Sequence, residues 1–246
     1  MKSFLPLLIF LVAAPAWPQA PTPEQIEARQ KAADERLRND WANLGRYREA
    51  NAELAARPGL PPSAVFMGDS ITDAWPRRSE QFFTGDHYVG RGISGQTTPQ
   101  MLVRFQQDVV ALRPAVVVIN AGTNDIAGNT GPSTIGMITD NLRAMAQLAE
   151  AAGIKVVFAS ITPAYDYPWR PGLEPAPKVA AVNQWMQGYC EGHGCIYADY
   201  HSAMSDEKGA MKEGLSTDGI HPNEAGYAIM EPIANAAINR ALGLSR

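Results

Sequence analysis

From about Pro58 to the end of the chain, short apolar runs rich in β-branched residues alternate with longer stretches whose apolar residues recur every three or four positions. Runs of the first kind suit strands buried on both faces. The longer stretches suit helices laid over them, so the rhythm predicts a parallel sheet covered on each side. Five strands are expected, at Ala64 to Gly68, Tyr88 to Ile93, Ala115 to Ala121, Lys155 to Ile161 and Gly194 to Tyr200. Helices are expected over Thr98 to Leu112, Ser133 to Ala152, Pro177 to Tyr189 and Asn223 to Leu242, with Gly153 placed to stop the second. The fold class is therefore α/β, a three-layer α/β/α sandwich on a five-stranded, doubly wound parallel sheet.

Ahead of Pro58 the pattern differs. Lys2 precedes an apolar run from Phe4 to Ala14, and the small residues Ala14 and Ala16 follow the cleavage pattern of a secretory signal, so residues 1–16 predict export. That run is short for a bilayer span and carries Pro6. Residues 17–23 are proline-rich and read as an extended linker. Between Glu24 and Ala56 the apolar residues Ile26, Leu37, Trp41, Leu44 and Tyr47 stand among many charges, as in one or two amphipathic helices. Residues 17–57 are thus set apart as a linker and helical extension, and residues 58–246 as the main domain.

Composition narrows the function classes. A chain of 246 residues can bury the core of one sizeable domain. Its net charge of -4 and the lack of a basic stripe argue against nucleic-acid binding, which needs clustered cations to displace counterions from phosphate. The two cysteines, Cys190 and Cys195, lie close together, and in an oxidising compartment such a pair is expected to form a disulfide. With His193 between them the segment offers three ligands, one short of the four that a structural zinc site requires, so no metal is expected there.

Ligands of doubly wound sheets bind beyond the carboxyl ends of the strands, and the chemically capable residues of this chain fall there. Gly68-Asp69-Ser70 follows the first expected strand, so the Ser70 hydroxyl can stand at the mouth of the sheet; the same serine could equally be a helix cap. Asp218-Gly219-Ile220-His221-Pro222 precedes the last helix. A serine becomes a nucleophile when a base takes its proton, and histidine is a better base when a carboxylate holds its other ring nitrogen. Ser70, His221 and Asp218 supply those three groups, although Asp218 also suits a helix cap. Tetrahedral intermediates need donors aimed at their oxyanion. The Gly95 amide, after the second strand, and the Asn124 side chain, after the third, are placed to provide them.

Together the stretches Gly68-Asp69-Ser70, Ile93-Ser94-Gly95, Gly122-Thr123-Asn124-Asp125 and Asp218-Gly219-Ile220-His221-Pro222 resemble the blocks of the SGNH (GDSL) hydrolase family, in the family's order and over about residues 62 to 246. The resemblance implies the flavodoxin-like SGNH fold, with Ser70 as nucleophile, His221 as base and Asp218 orienting it. It further implies an oxyanion hole formed by the Ser70 amide, the Gly95 amide and the Asn124 side chain, and a reaction without a metal or organic cofactor. Ile71 stands where the family often has leucine.

Substrate preference is less defined. The loop from Thr162 to Pro177 carries Tyr165, Tyr167 and Trp169, which either line the site for a sugar ring or acyl chain or pack over the sheet edge. Trp75 poses the same choice. With no long apolar insertion between the blocks, hydrolysis of short-chain esters is expected, including deacetylation of carbohydrates, so the expected partner is a small ester or acetylated sugar. Lysophospholipase, arylesterase or thioesterase activity is the alternative within the family. An inactive carbohydrate-binding protein is the alternative outside enzymes.

Overall fold

The computed structural model describes residues 22–56, 59, 61–85 and 87–244. The expected signal segment, residues 1–16, and most of the linker lie outside them. Helix α1 (Pro23–Asn39) belongs to a unit of its own, and its described side chains are exposed. A second unit begins at Asp40 and contains everything that follows. It opens with α2 (Arg48–Ala56), so the 40–57 stretch, set apart in the sequence as an extension, is counted with the domain.

The remaining elements are β1 (Ala64–Gly68), α3 (Ser70–Arg78), α4 (Glu80–Gly85), β2 (Tyr88–Gly92), α5 (Thr98–Asp108), β3 (Val116–Asn120), α6 (Thr123–Ile126), α7 (Ile135–Ala151), β4 (Lys155–Ala159), α8 (Pro175–His193), β5 (Ile196–Ala198), α9 (Tyr200–Met204) and α10 (Glu224–Ala241). The five strands form one parallel sheet in the order β2-β1-β3-β4-β5. The expected α/β/α architecture is present. Every residue of β1 and β3 is buried, because both faces of the central strands are covered. Helices α5, α7 and α8 pack one face around Val65, Met67, Val117, Ile119 and Phe158. Helices α3, α4, α9 and α10 pack the other around Phe66, Val118 and Val157.

Strand β1 has the expected limits, the other strands and helices α5, α7 and α10 end one to four residues inside theirs, and α8 runs beyond its own at both ends, from Pro175 to His193. Four short helices, α3, α4, α6 and α9, were not expected. The α3 segment contains Pro76, a residue that disfavours helix interiors, yet burial of Ile71, Thr72 and Trp75 holds it. Trp75 therefore does not reach the site as one reading had it. It is 1 % exposed and stacks on Phe82 and Tyr227, with ring centroids 5.2 and 5.3 Å away, so its large apolar surface serves the core. Cys190 and Cys195 form the expected disulfide, which removes both as thiolate ligands. His193 lies against the Tyr189 ring and bonds the Tyr189 carbonyl at 2.8 Å, so the zinc reading fails.

The stretch 40–51 is bound to the domain through polar groups. Gln96, Gln100 and Gln107 each donate a side-chain hydrogen bond of 2.7 Å, to the carbonyls of Ala42, Trp41 and Leu44 respectively. Tyr47 donates its hydroxyl to the Gly92 carbonyl. Beneath them the fully buried Arg104 bonds Gln96 Oε1 at 2.6 Å, Asp108 at 3.1 Å and the Gly68 carbonyl at 3.0 Å. A buried guanidinium is tolerated when its donors are matched in this way.

Candidate active site

Strand register places the site. Gly68 is aligned with Gly92 on one side and Asn120 on the other, so the three strands end together and their loops open on one rim. Asp69 caps α3, its Oδ1 accepting the Ile71 amide at 3.0 Å. Ser70 is thereby the first residue of the helix, and its amide is among those for which a helix supplies no acceptor of its own. Gly92 packs directly beneath this turn. A Cβ there would lie 2.1 Å from the Asp73 nitrogen and 2.7 Å from the Asp69 carbonyl oxygen. Only glycine lets β2 approach α3 so closely.

Ser70 and His221, 151 positions apart in sequence, meet: Ser70 Oγ lies 2.9 Å from His221 Nε2. His221 Nδ1 lies 2.6 Å from Asp218 Oδ2. Oδ1 of the same carboxylate accepts the Ile220 amide at 3.0 Å, the His221 amide at 2.8 Å and the Ser216 hydroxyl at 3.0 Å. Partial burial alone would raise the Asp218 carboxyl. The hydrogen bonds from the His221 ring and from the two amides outweigh it and hold the group well below the ordinary carboxylate range. A carboxylate fixed this way keeps the hydrogen of His221 on Nδ1 and leaves Nε2 to accept from Ser70. Both side chains are 39 % exposed, so the pair opens directly to solvent.

The remaining expected residues sit on the Ser70 side of this rim. Gly95 adopts φ +79° and its loop is exposed; Ser94 anchors the loop by donating to Asp73 Oδ2 at 2.7 Å. Asn124 is 3 % exposed, and its Nδ2 faces the Gln96 carbonyl at 3.1 Å and Asp69 Oδ2 at 3.2 Å. Burial raises the Asp69 carboxyl to about 6, against the lowering effect of its bond from the Ile71 amide.

The three aromatic residues of the Thr162 to Pro177 loop separate. Trp169 is 41 % exposed and its ring centroid lies 6.1 Å from that of His221. Tyr167 is fully buried beneath it, at 5.0 Å between rings, with its hydroxyl 3.0 Å from Thr123 Oγ1, so it supports the platform and does not line it. Tyr165 is 62 % exposed and makes no ring contact with either among the described residues. The loop is held by Asp166, which accepts the Tyr167 and Gly172 amides at 2.9 Å, and by Arg170, which donates to the Ala127 carbonyl at 2.9 Å. Arg170 and Asn129, which bonds Asn124, drew no notice in the sequence because their partners lie in other loops or at an unremarkable spacing.

On this α/β/α scaffold a strand-end serine is joined to histidine and aspartate, the set of groups that acyl transfer requires. Residues 66–229 match the GDSL-like lipase/acylhydrolase family, and the chain belongs to this family of carboxylic ester hydrolases. It is 28 % identical over 185 residues to esterase TesA of Pseudomonas aeruginosa, covering 69 % of this chain and 84 % of that one. It is 26 % identical over 207 residues to an acetylxylan esterase of Xylanibacter ruminicola, where the match takes 70 % of this chain but 42 % of the relative. The crystal structure of a GDSL-like lipase from Bacteroides thetaiotaomicron superposes with a TM-score of 0.78 at 41 % identity, over 82 % of this chain and all of that one. Among the described residues no helix is long and apolar enough to cross a membrane.

Proposed function

We propose that the chain is an exported serine esterase that removes short acyl groups, acetyl above all, from small esters or acetylated carbohydrates. The observation that carries this reading is the 2.9 Å contact between Ser70 and His221, whose other ring nitrogen is bound by Asp218. Ser70 Oγ gives its proton to His221 Nε2 and attacks the ester carbonyl. The tetrahedral oxyanion is taken by the Ser70 and Gly95 amides. Asn124 joins by sharing a hydrogen now given to Gln96 or Asp69, a geometry that tightens once substrate is bound. The carbon–oxygen bond to the alcohol breaks as His221 returns the proton to the leaving oxygen. Water then repeats the sequence on the acyl-enzyme, its proton passing to His221, and the free acid departs. These steps balance without a metal or organic cofactor.

Short acyl groups suit a triad that stands open to solvent, and the exposed face of Trp169 suits a sugar ring. The likeness to an acetylxylan esterase points the same way. Export accords with the Cys190–Cys195 disulfide, a bond that persists in oxidising compartments. Comparing kcat/KM on p-nitrophenyl acetate and octanoate, then on acetylated xylo-oligosaccharide and a lysophospholipid, tests the proposal. Acetate should be favoured at least tenfold over octanoate, and acetylated sugar over lysophospholipid. Preference for long chains would make the protein a lipid-directed member of the family, and absence of turnover on every ester would make it a binding protein.

A further inference from the structure

Asn129 lies outside the four motif stretches, yet it touches both of the loops that carry the oxyanion donors. Its Nδ2 donates to Asn124 Oδ1 at 2.8 Å and to the Gly95 carbonyl at 3.1 Å. We propose that Asn129 is a positioning residue, fixing which end of the Asn124 amide faces the reacting carbonyl and holding the Gly95 peptide in its working orientation. This inference rests on the assignment of Gly95 and Asn124 to the oxyanion hole.

Donor and acceptor parity sets the orientation of the Asn124 amide. An amide nitrogen only donates and an amide oxygen only accepts. Asn124 Oδ1 meets a donor, while its Nδ2 meets two acceptors, the Gln96 carbonyl and Asp69 Oδ2. Rotating the amide by half a turn would set nitrogen against nitrogen and oxygen against two oxygens, so all three contacts would become repulsive. Among the described residues the Asn129 bond supplies the one contact made to the oxygen end. Without it, only the two acceptors would specify the orientation, and one of these is the raised Asp69 carboxyl, which becomes a donor when protonated.

Gly95 needs a similar restraint. At φ +79° a glycine has the widest conformational freedom of any residue. The peptide following it is pinned at its carbonyl by Asn129 and at its nitrogen by the bond from Gln96 to the Ile93 carbonyl, 3.2 Å. Freed at the carbonyl, the loop can rotate and carry the Gly95 amide out of line. Asn129 is itself placed by the turn that ends α6, its amide bonding the Asn124 carbonyl at 3.0 Å. Its exposed side chain fills no part of the core, so removing it leaves no cavity.

The test uses Asn129→Ala and Asn129→Asp beside Ser70→Ala and Asn124→Ala, on p-nitrophenyl acetate. Loss of an oxyanion donor costs about 100-fold to 1000-fold in kcat, so misorientation of the pair should lower kcat by about 10-fold to 100-fold in Asn129→Ala. KM should stay within twofold and the urea midpoint should not move. Asn129→Asp presents a carboxylate to two acceptors and should be slower still at pH 8. Once protonated it regains a donor, so its activity relative to Asn129→Ala should rise as the pH is lowered. If Asn129→Ala keeps kcat within twofold while Ser70→Ala is inactive, the proposal fails and the esterase reading stands. A loss that comes with a lowered unfolding midpoint, or a ratio of the two variants that is flat with pH, likewise overturns it. Activity in Ser70→Ala would instead sink the underlying reading.

Discussion

Replacing Asp218 with asparagine tests how the triad is held, because the surroundings dictate which way the new amide must face. Three donors, the Ile220 amide, the His221 amide and the Ser216 hydroxyl, converge on Oδ1 between 2.8 and 3.0 Å. The asparagine oxygen must remain there. Its nitrogen, a donor only, then falls at the Oδ2 position, 2.6 Å from His221 Nδ1. His221 Nδ1 can meet this donor only as an acceptor, so the ring hydrogen moves to Nε2, the atom that has to accept from Ser70. The change is nearly isosteric, yet it selects the wrong tautomer. In serine proteases such a change lowers kcat about 10⁴-fold, which corresponds to about 5 kcal/mol of transition-state stabilisation. Steady-state kinetics on p-nitrophenyl acetate should show a loss of that order, and ¹⁵N shifts of the His221 ring should show the hydrogen on Nε2. Asp218→Ala should lose less than Asp218→Asn, since water can reach Nδ1 in a pair that is 39 % exposed and accept from it. If asparagine retains activity within tenfold, or if alanine is the more damaging change, the assigned role of Asp218 is wrong.

Other consequences concern packing and charge. Gly92→Ala would force a methyl against the backbone of Thr72 and Asp73, which cannot give way without moving the helix that begins at Ser70, so stability should fall by about 3 kcal/mol or more. A urea midpoint that implies less than about 0.5 kcal/mol would refute the tight contact between β2 and α3. Burial raises the Asp125 carboxyl to about 6, so the folded state binds a proton there that the unfolded chain gives up near pH 4. Its contribution therefore favours folding at low pH and declines as pH rises through about 4 to 6. The half-buried His201, lowered by burial, acts in the opposite sense, so the effect is read against Asp125→Asn. Wild-type stability minus that of the variant should grow by on the order of 2 to 3 kcal/mol from pH 7 to pH 4. A difference independent of pH would contradict the burial argument.

The sheet was legible because its central strands are covered on both faces, so Val116 to Ile119 had to be apolar without interruption and announced themselves. The rim followed from topology: residues just past the ends of parallel strands converge wherever they stand in the chain, as Ser70, Gly95 and Asn124 do. Composition was a poorer guide to the stretch 40–51. Its exposed charges suggest an appendage, while its main-chain carbonyls are acceptors for Gln96, Gln100 and Gln107, and backbone acceptors leave no mark in a sequence. Trp75 and Tyr167 fall in segments that could face either way, and only the packing of Tyr227 over one and of Trp169 over the other decided the matter. The contacts of Asn129 could not be read from the sequence because they depend on two loops meeting, one of them 34 residues distant.

Reaction with a fluorophosphonate, followed by peptide mass analysis, bears most directly on the proposed site, since the reagent forms a bond only with a serine oxygen that a neighbouring base has activated. A single adduct on the peptide holding Ser70, absent in Ser70→Ala and formed far more slowly in His221→Ala, is the result expected. An intact enzyme that stays unlabelled, or an adduct on any other serine, would contradict it.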